Sequence, residues 1–344
     1  MSNLISVKIV ADSISPSGSR ITTFELEYPR IIHSELMTHR LLSRNAMSSR
    51  AIPINKMIDQ VRRNPAMPVK FGKNQPGMQD AGEHNTPITV VNILPDGEKH
   101  TETYTAEQWW HKAAVSASVY ADGFAEAGYH KQIANRLLEA FQRMKTIVTA
   151  TDWNNFFWLR VDPDADPTIY ELAKAMKEAS DNSIPDPLEP GQWHTPYVDH
   201  VYGFEDIDDK ECAVFEGYCV LDEENRPVML TLEEALAVSA SCCAQVSYRV
   251  LNTSKEKALD IYEKLVSGNK VHASPFEHQA TPMAEYKEIE NSDYLTIGHI
   301  NFSRDPDSWE KGITHADRQG QLWSGNLRGW VQHRQLVPDN AISG

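Results

Sequence analysis

Two stretches near the start of the chain alternate apolar and polar residues, "SVKIV" and "RITTFELEY", on either side of the turn cluster "SPSGS". Alternation with a period of two predicts half-buried β-strands over residues 5 to 28. Pro29 suits the opening of a helix. Ile32, Leu36, His39 and Ser43 then recur at helical spacing, so a helix is expected to about Asn45, followed by a polar loop over 46–53. Residues 60–105 are rich in Pro, Gly and Asn, and "TVVNILPDGEKHTETYT" predicts a hairpin turning at Pro95-Asp96-Gly97. Helical periodicity follows over about 106–128, 130–148 and 167–180, with a shorter apolar segment at 152–160.

Residues 181–230 hold several prolines and many acidic side chains, the pattern of a linker or large insertion. Beyond them, 231–250 predicts a helix opened by a Thr231/Glu234 capping box. A second helix over 254–267 is capped by Ser254. "DYLTIGHINF" predicts a strand, and "SGNLRGWVQHRQL" a final helix.

Absent motifs narrow the chemistry. The chain has no G-x-G-x-x-G, no G-x-x-x-x-G-K-[ST], no G-x-S-x-G and no H-E-x-x-H. Neither a Rossmann dinucleotide fold nor a phosphate loop is indicated, so any nucleotide site must be built from side chains. The 344 residues are 41% hydrophobic and 24% charged, as in a globular protein of one large domain or two ordinary ones. No run approaches a membrane span, and the N-terminus lacks the pattern of a secretory signal. Four cysteines without C-x2-C spacing predict no disulfide scaffold and no metal site, and a cytoplasmic setting is expected. Cys242 and Cys243 lie in an apolar helical run and read as core filling.

The formal charge of −15 argues against a polyanionic partner such as nucleic acid. Against that background "THRLLSRNAMSSRAIP" (38–53) is unusual, because it interleaves His39, Arg40, Arg44 and Arg50 with Ser43, Asn45, Ser48 and Ser49. Arginine forks and hydroxyls of this kind match phosphate and the polar edges of a pyrimidine. The competing reading is a solvated helix face with serines at its end, and a histidine on an apolar stripe that merely packs.

The stretch resembles the signature of the flavin-dependent thymidylate synthases: Arg-His-Arg, seven residues, then Ser, usually with Asn inside and Arg two beyond. His39, Arg40, Ser43, Asn45, Ser48 and Arg50 match in register. "IANRLLEAF…IVTATDWNNFFWLR" (133–160) is similar to a second segment of that family, with Asn155 and Arg160 on matching positions, and "DPTIYELAKAM" to the helix after it. "CAQVSYR" (243–249) and "HASPFEH" (272–278) resemble segments that in the family precede the Arg-His-Arg motif, so this chain looks like a divergent member with rearranged segment order. "WVQHRQL" (330–336) also echoes "LMTHRLL" (36–42), which leaves duplication as another origin.

The resemblance implies an α+β fold, a β-sheet with long packed helices. Residues 1–180 would be its core, with an inserted hairpin at about 85–105, and 231–344 would pack into the same core. It implies reductive methylation of dUMP to dTMP, with FAD as cofactor and NADPH and methylenetetrahydrofolate as co-substrates, and no protein nucleophile. It assigns Arg160, Arg40 and His39 to catalysis. Cofactor binding falls to His39, Arg40, Asn45, Asn155, Ser247 and His278. The pyrimidine deoxynucleoside monophosphate would be held by Glu35, Ser48, Ser49, Arg50, Arg160 and Arg136, or by Asn135 in place of Arg136. Sites between subunits of a tetramer are implied, or of a dimer if the chain is permuted or half-duplicated.

Departures from the family pattern are Thr38 for Arg, Ala46 for Glu, Glu35 for Gln, and Thr149 and Thr151 for Asn and Arg. They leave open a flavin-dependent hydroxymethylase of dCMP or dUMP, or an inactive nucleotide-binding homologue.

Overall fold

The structure, a computed structural model, describes residues 5–207, 210–246, 254–267, 271–284 and 309–341. In chain order the first half contains β1 (Ser6–Ile14), β2 (Arg20–Pro29), α1 (His33–Met37), β3 (Ser43–Ala46), α2 (Ile54–Arg63), β4 (Ile88–Ile93), β5 (Lys99–Tyr104), α3 (Ala106–Glu126), α4 (Lys131–Ala134), β6 (Arg143–Ala150), α5 (Asn154–Arg160) and α6 (Pro167–Asp181). The second half adds β7 (Asp186–Pro187), β8 (Asp199–Ile207), β9 (Lys210–Leu221), β10 (Pro227–Leu230), α7 (Leu232–Gln245), α8 (Lys255–Val266), β11 (Ala280–Pro282), β12 (His315–Ala316), β13 (Leu322–Ser324), β14 (Leu327–Arg328) and β15 (Trp330–Gln332). This is an α+β arrangement. Its central sheet has the order β3-β6-β2-β1-β7, antiparallel except for the short β1–β7 pair.

Alternation gives that sheet two different faces. Phe24, Leu26 and Tyr28 of β2, with Met144 and Val148 of β6, point to one side and form a single core with Met57, Val61, Ala114, Phe156, Leu172 and Met176 from the helices. The residues between them point the other way. There Ile21 packs with Leu188, Leu327 and Trp330, and Ile147 packs with Cys243 and Val246. The indole N–H of the fully buried Trp330 donates to the carbonyl of Ser19 at 3.1 Å. The second half of the chain therefore roofs the face that the helices of the first half leave free.

The strands of 5–28, the hairpin at 95–97 and helices α3, α5 and α6 form where the sequence places them. The Thr231/Glu234 capping box is present at the start of α7. Residues 181–230 hold a three-stranded sheet, β10-β9-β8. The expected 30–45 helix is cut to a 3-10 turn and α1, because Ser43–Ala46 pairs with β6 as a strand. The expected 130–148 helix ends near Phe141, and Arg143–Ala150 is the strand β6. The expected final helix is instead β13, β14, β15 and a 3-10 turn, with Gly325 and Gly329 at φ of +59° and +74° where a helix cannot continue. The strand expected at 293–302 lies outside the described residues. No helix among the described residues is long and apolar enough to cross a membrane.

Candidate functional site

The turn after α1 is held from below by Arg44. Its guanidinium, projecting from β3 toward the helix side, donates to the carbonyls of Met37 at 2.9 Å and His39 at 3.1 Å. Those are the open carbonyls that a helix end must satisfy, and so short a helix has little else to fix its last turn. Thr38 adds a bond from its hydroxyl to the carbonyl of Glu35 at 2.7 Å.

Onto this turn comes Arg160, from the last turn of α5. Its Nε–H donates to His39 Nε2 at 3.0 Å and its Nη1 to Glu35 Oε2 at 2.9 Å, with Nη2 3.5 Å from Thr38 Oγ1. The His39 ring meets Phe156 edge-on, at 4.9 Å and 83°. Burial first, then the charges of Arg160 and Arg44, lower His39 to about 4, so the ring is neutral near pH 7. Because Nε2 accepts from Arg160, the ring proton sits on Nδ1. Burial raises the Glu35 carboxyl above its ordinary value, against the opposing pull of Arg160. Glu35, His39 and Arg160 thus form one cluster, with a cation aimed by two acceptors.

Other residues singled out in the sequence stand elsewhere. Arg40 and Arg50 are exposed, and neither side chain makes a hydrogen bond or ion pair among the described residues. Ser49 is buried, and its carbonyl accepts from Asn135 Nδ2 at 2.7 Å, which also reaches Ile52 O at 3.0 Å. Asn135 therefore pins the 48–52 loop from inside, while Arg136, the next residue, is solvent-facing, 3.8 Å from Glu139. Asn155 is exposed on α5. Ser247 lies outside the described residues.

Asn45 and His278 both lie on the opposite face of the sheet. Asn45 alternates with Arg44 along β3, so its side chain points away from the Arg160 cluster, alongside Ser43. Ser43 pairs with Thr149, and Thr149 Oγ1 lies 2.8 Å from His278 Nδ1. Both Asn45 Oδ1 and His278 Nε2 are buried polar atoms with no hydrogen-bond partner among the described residues. Such atoms typically cost ~1–3 kcal/mol unless something bonds them. Edge strand β3 thus carries polar groups toward both faces. Asn326 and Gln332 tie the second half of the chain to it, with Asn326 Nδ2 2.8 Å from the Leu41 carbonyl and 3.0 Å from Ser43 Oγ.

Compared with known families, residues 15–186, half of the chain, match the model of the thymidylate synthase complementing protein family, Thy1. The chain belongs to this family. A search of curated proteins finds no match. Among solved structures it resembles a UMP/dUMP methylase, PolB, from Streptomyces cacaoi bound with 5-Br UMP, at 16% identity, over 51% of this chain and 88% of that one, with a TM-score of 0.36. It also resembles a flavin-dependent thymidylate synthase from Helicobacter pylori complexed with FAD and dUMP, at 17% identity, over 46% of this chain and 67% of that one, with a TM-score of 0.30. Both scores lie under 0.5.

The Thy1 match contains Glu35, His39, Arg40, Asn45, Ser48 to Arg50, Arg136, Asn155 and Arg160, and stops before Ser247 and His278. Sequence reasoning missed Arg44 as the clamp on α1, although it lies inside the quoted motif. It also missed Thr38, counted there only as a lost arginine, as a neighbour of Arg160. A cleft of about 540 Å³ lies along another face of α5, lined by Asn154, Phe157, Trp158 and Val161 with Arg20 and Arg328. Of the motif positions only Thr151, a departure from the family pattern, lines it, and none of the proposed cofactor- or substrate-binding residues does, so the cleft is not the site their geometry builds. Its cations are already paired, Arg20 with Asp12 and Arg328 with Asp152.

Proposed function

We propose that this chain is a flavin-dependent enzyme acting on C5 of a pyrimidine nucleotide, in the first instance converting dUMP to dTMP with methylenetetrahydrofolate and NADPH. The observation that carries the reading is the Arg160 guanidinium, fixed in direction by Glu35 and His39 on a turn that belongs to the family motif. A cation so held stabilises negative charge developing on a pyrimidine as C5 becomes nucleophilic. Bound FAD, once reduced, supplies the hydride that completes the transferred carbon. Asn45 Oδ1 and His278 Nε2, buried and unpaired, fit a cofactor rich in carbonyl, ring-nitrogen and N–H groups. Arg50, Ser48 and Arg136 would meet the phosphate from the loop that Asn135 pins.

Two of the four thiols are unsuited to act as a nucleophile. Cys242 and Cys243 are fully buried, and burial pushes Cys242 up to about 12 and Cys243 well above its ordinary value. Neither offers the thiolate that attack on a pyrimidine requires.

A second reading, hydroxymethylation of dCMP or dUMP, is favoured by Glu35. Where the family carries an amide, this chain places a carboxylate that offsets the charge of Arg160 and can only accept hydrogen bonds while ionised. Incubation with FAD, NADPH, methylenetetrahydrofolate and either dUMP or dCMP, followed by mass analysis, separates the readings, since the two products differ by one oxygen. The expected outcome is a methyl gain on dUMP. A chain that takes up no FAD and alters neither nucleotide is an inactive homologue, and the proposal fails. Arg50→Ala is expected to weaken nucleotide binding by ~1.5–3 kcal/mol, the scale of a charge-assisted hydrogen bond. Titration calorimetry showing unchanged affinity would remove Arg50 from the phosphate site.

A further inference from the structure

A buried chain of hydrogen bonds crosses the sheet on the face that carries Asn45. Ser13 Oγ lies 2.9 Å from His194 Nδ1, and His194 Nε2 lies 2.8 Å from Thr23 Oγ1. Thr23 Oγ1 is 2.7 Å from Thr149 Oγ1, which is 2.8 Å from His278 Nδ1. The strands set this spacing, because Thr23 and Thr149 are direct cross-strand partners on β2 and β6. His194 arrives from outside the sheet, anchored to Ala280 by a backbone bond of 2.8 Å. All five residues are wholly buried.

Burial keeps both imidazoles neutral, lowering His278 to about 3 and His194 well below its ordinary value. Each ring therefore carries one proton, and each hydroxyl donates once. One orientation makes all four bonds and also gives every hydroxyl proton an acceptor. In it Ser13 donates to His194 Nδ1, His194 Nε2–H to Thr23, Thr23 to Thr149 and Thr149 to His278 Nδ1, which leaves the His278 proton on Nε2. In each other orientation a buried hydroxyl, of Ser13, Thr23 or Thr149, is left without an acceptor among the described residues. Ser13 sits on β1, between β2 and β7 inside the sheet. His278 is bonded to Thr149 of β6, the neighbour of edge strand β3, on the face that also carries the Asn45 side chain.

We propose that Ser13, His194, Thr23 and Thr149 are positioning residues that hold the His278 proton on Nε2, so that His278 donates to a ligand acceptor on the sheet face where Asn45 Oδ1 is an acceptor. The ligand class this suits is a planar ring edge with a carbonyl or imine nitrogen next to an N–H, as on the pyrimidine ring of a flavin. The flavin half rests on the function proposed above, whereas the proton position does not.

The test uses the full chain labelled with ¹⁵N-histidine and no ligand. Long-range ¹H–¹⁵N correlation is expected to show His278 and His194 both protonated on Nε2. Thr149→Val keeps the side-chain shape and removes the hydroxyl. It is expected to give a mixture of His278 tautomers and to weaken FAD binding about 10-fold, the worth of one neutral hydrogen bond, and Thr149→Ser is expected to restore both. His278 protonated on Nδ1 in the unsubstituted chain overturns the proposal whether or not any variant folds. A Thr149→Val chain with unchanged tautomer and affinity overturns it too. A chain with the Nε2–H tautomer that takes up no FAD keeps the relay and sinks the flavin reading.

Discussion

Arg160→Ala is expected to lower turnover about 10²–10³-fold, the scale of removing one preorganised donor from a site where charge develops, and to leave FAD uptake nearly unchanged. Arg160 is the only group bonded to both Glu35 and His39 among the described residues. Without it the Glu35 carboxylate loses its counter-charge and His39 Nε2 loses its donor. The His39 pKa should then rise from about 4, but only in part, because burial is its largest cause and remains. A pH–rate profile that shifts upward on the acidic side, together with the loss of turnover, would tie the effect to this cluster. Arg160→Lys should recover little. One ammonium carries the charge but cannot reproduce the fork that reaches a carboxylate and an imidazole at once. Turnover within threefold of the unsubstituted chain in both variants would place the reacting base elsewhere.

The cluster was partly legible in the sequence. His39, Arg40, Asn45, Ser48 and Arg50 are close in the chain, so their spacing shows directly, and Arg160 followed from a second short motif. Pairing of Glu35 with Arg160 was not legible, because it joins residues 125 apart in sequence. His194 carried no signal at all: it lies in a proline-rich, acidic stretch, and its role exists only because the chain folds back over Thr23. Local pattern failed in the same way for secondary structure. Strand β6, "RMKTIVTA", lies between β3 and β2 and places Arg143, Lys145, Ile147 and Thr149 on one face, where all but Ile147 pair with charged or polar groups, so apolar and polar residues do not alternate cleanly and the segment reads as helix. Ser43–Ala46 is a strand only because β6 is there to pair with it. Trp330–Gln332 likewise pairs with Ala280–Pro282, a contact that no local pattern encodes. By contrast the 5–28 hairpin and the Thr231 capping box are settled within a few residues, and they form as expected.

The relay and the cluster share a property with a measurable consequence. His33, His39 and His333 are lowered to about 4, His278 to about 3 and His194 well below its ordinary value, in each case mainly by burial. In the unfolded chain each returns to about 6.5. Below that value the unfolded chain binds protons that the folded chain does not, so stability is full above pH ~6.5 and falls as the pH drops toward 4. His33 and His39 are partly open to solvent and contribute less. The three deeply buried rings, His194, His278 and His333, set the slope, at about 1.4 kcal/mol per pH unit each when fully engaged. Together they approach ~4 kcal/mol per unit, against a total stability of ~5–15 kcal/mol for a typical domain. The urea midpoint is therefore expected to fall steeply between pH 6 and 4.5, before most carboxylates titrate. His333, packed edge-on between Trp193 and Phe276 at 5.5 and 5.4 Å, offers the control. His333→Phe should lower the proton uptake on unfolding by about one in that window. A midpoint that stays flat from pH 6.5 to 4.5 would mean that these rings titrate alike in the folded and unfolded chain. The burial that keeps these imidazoles neutral below pH 6.5, in the relay and beside Arg160, would then be absent.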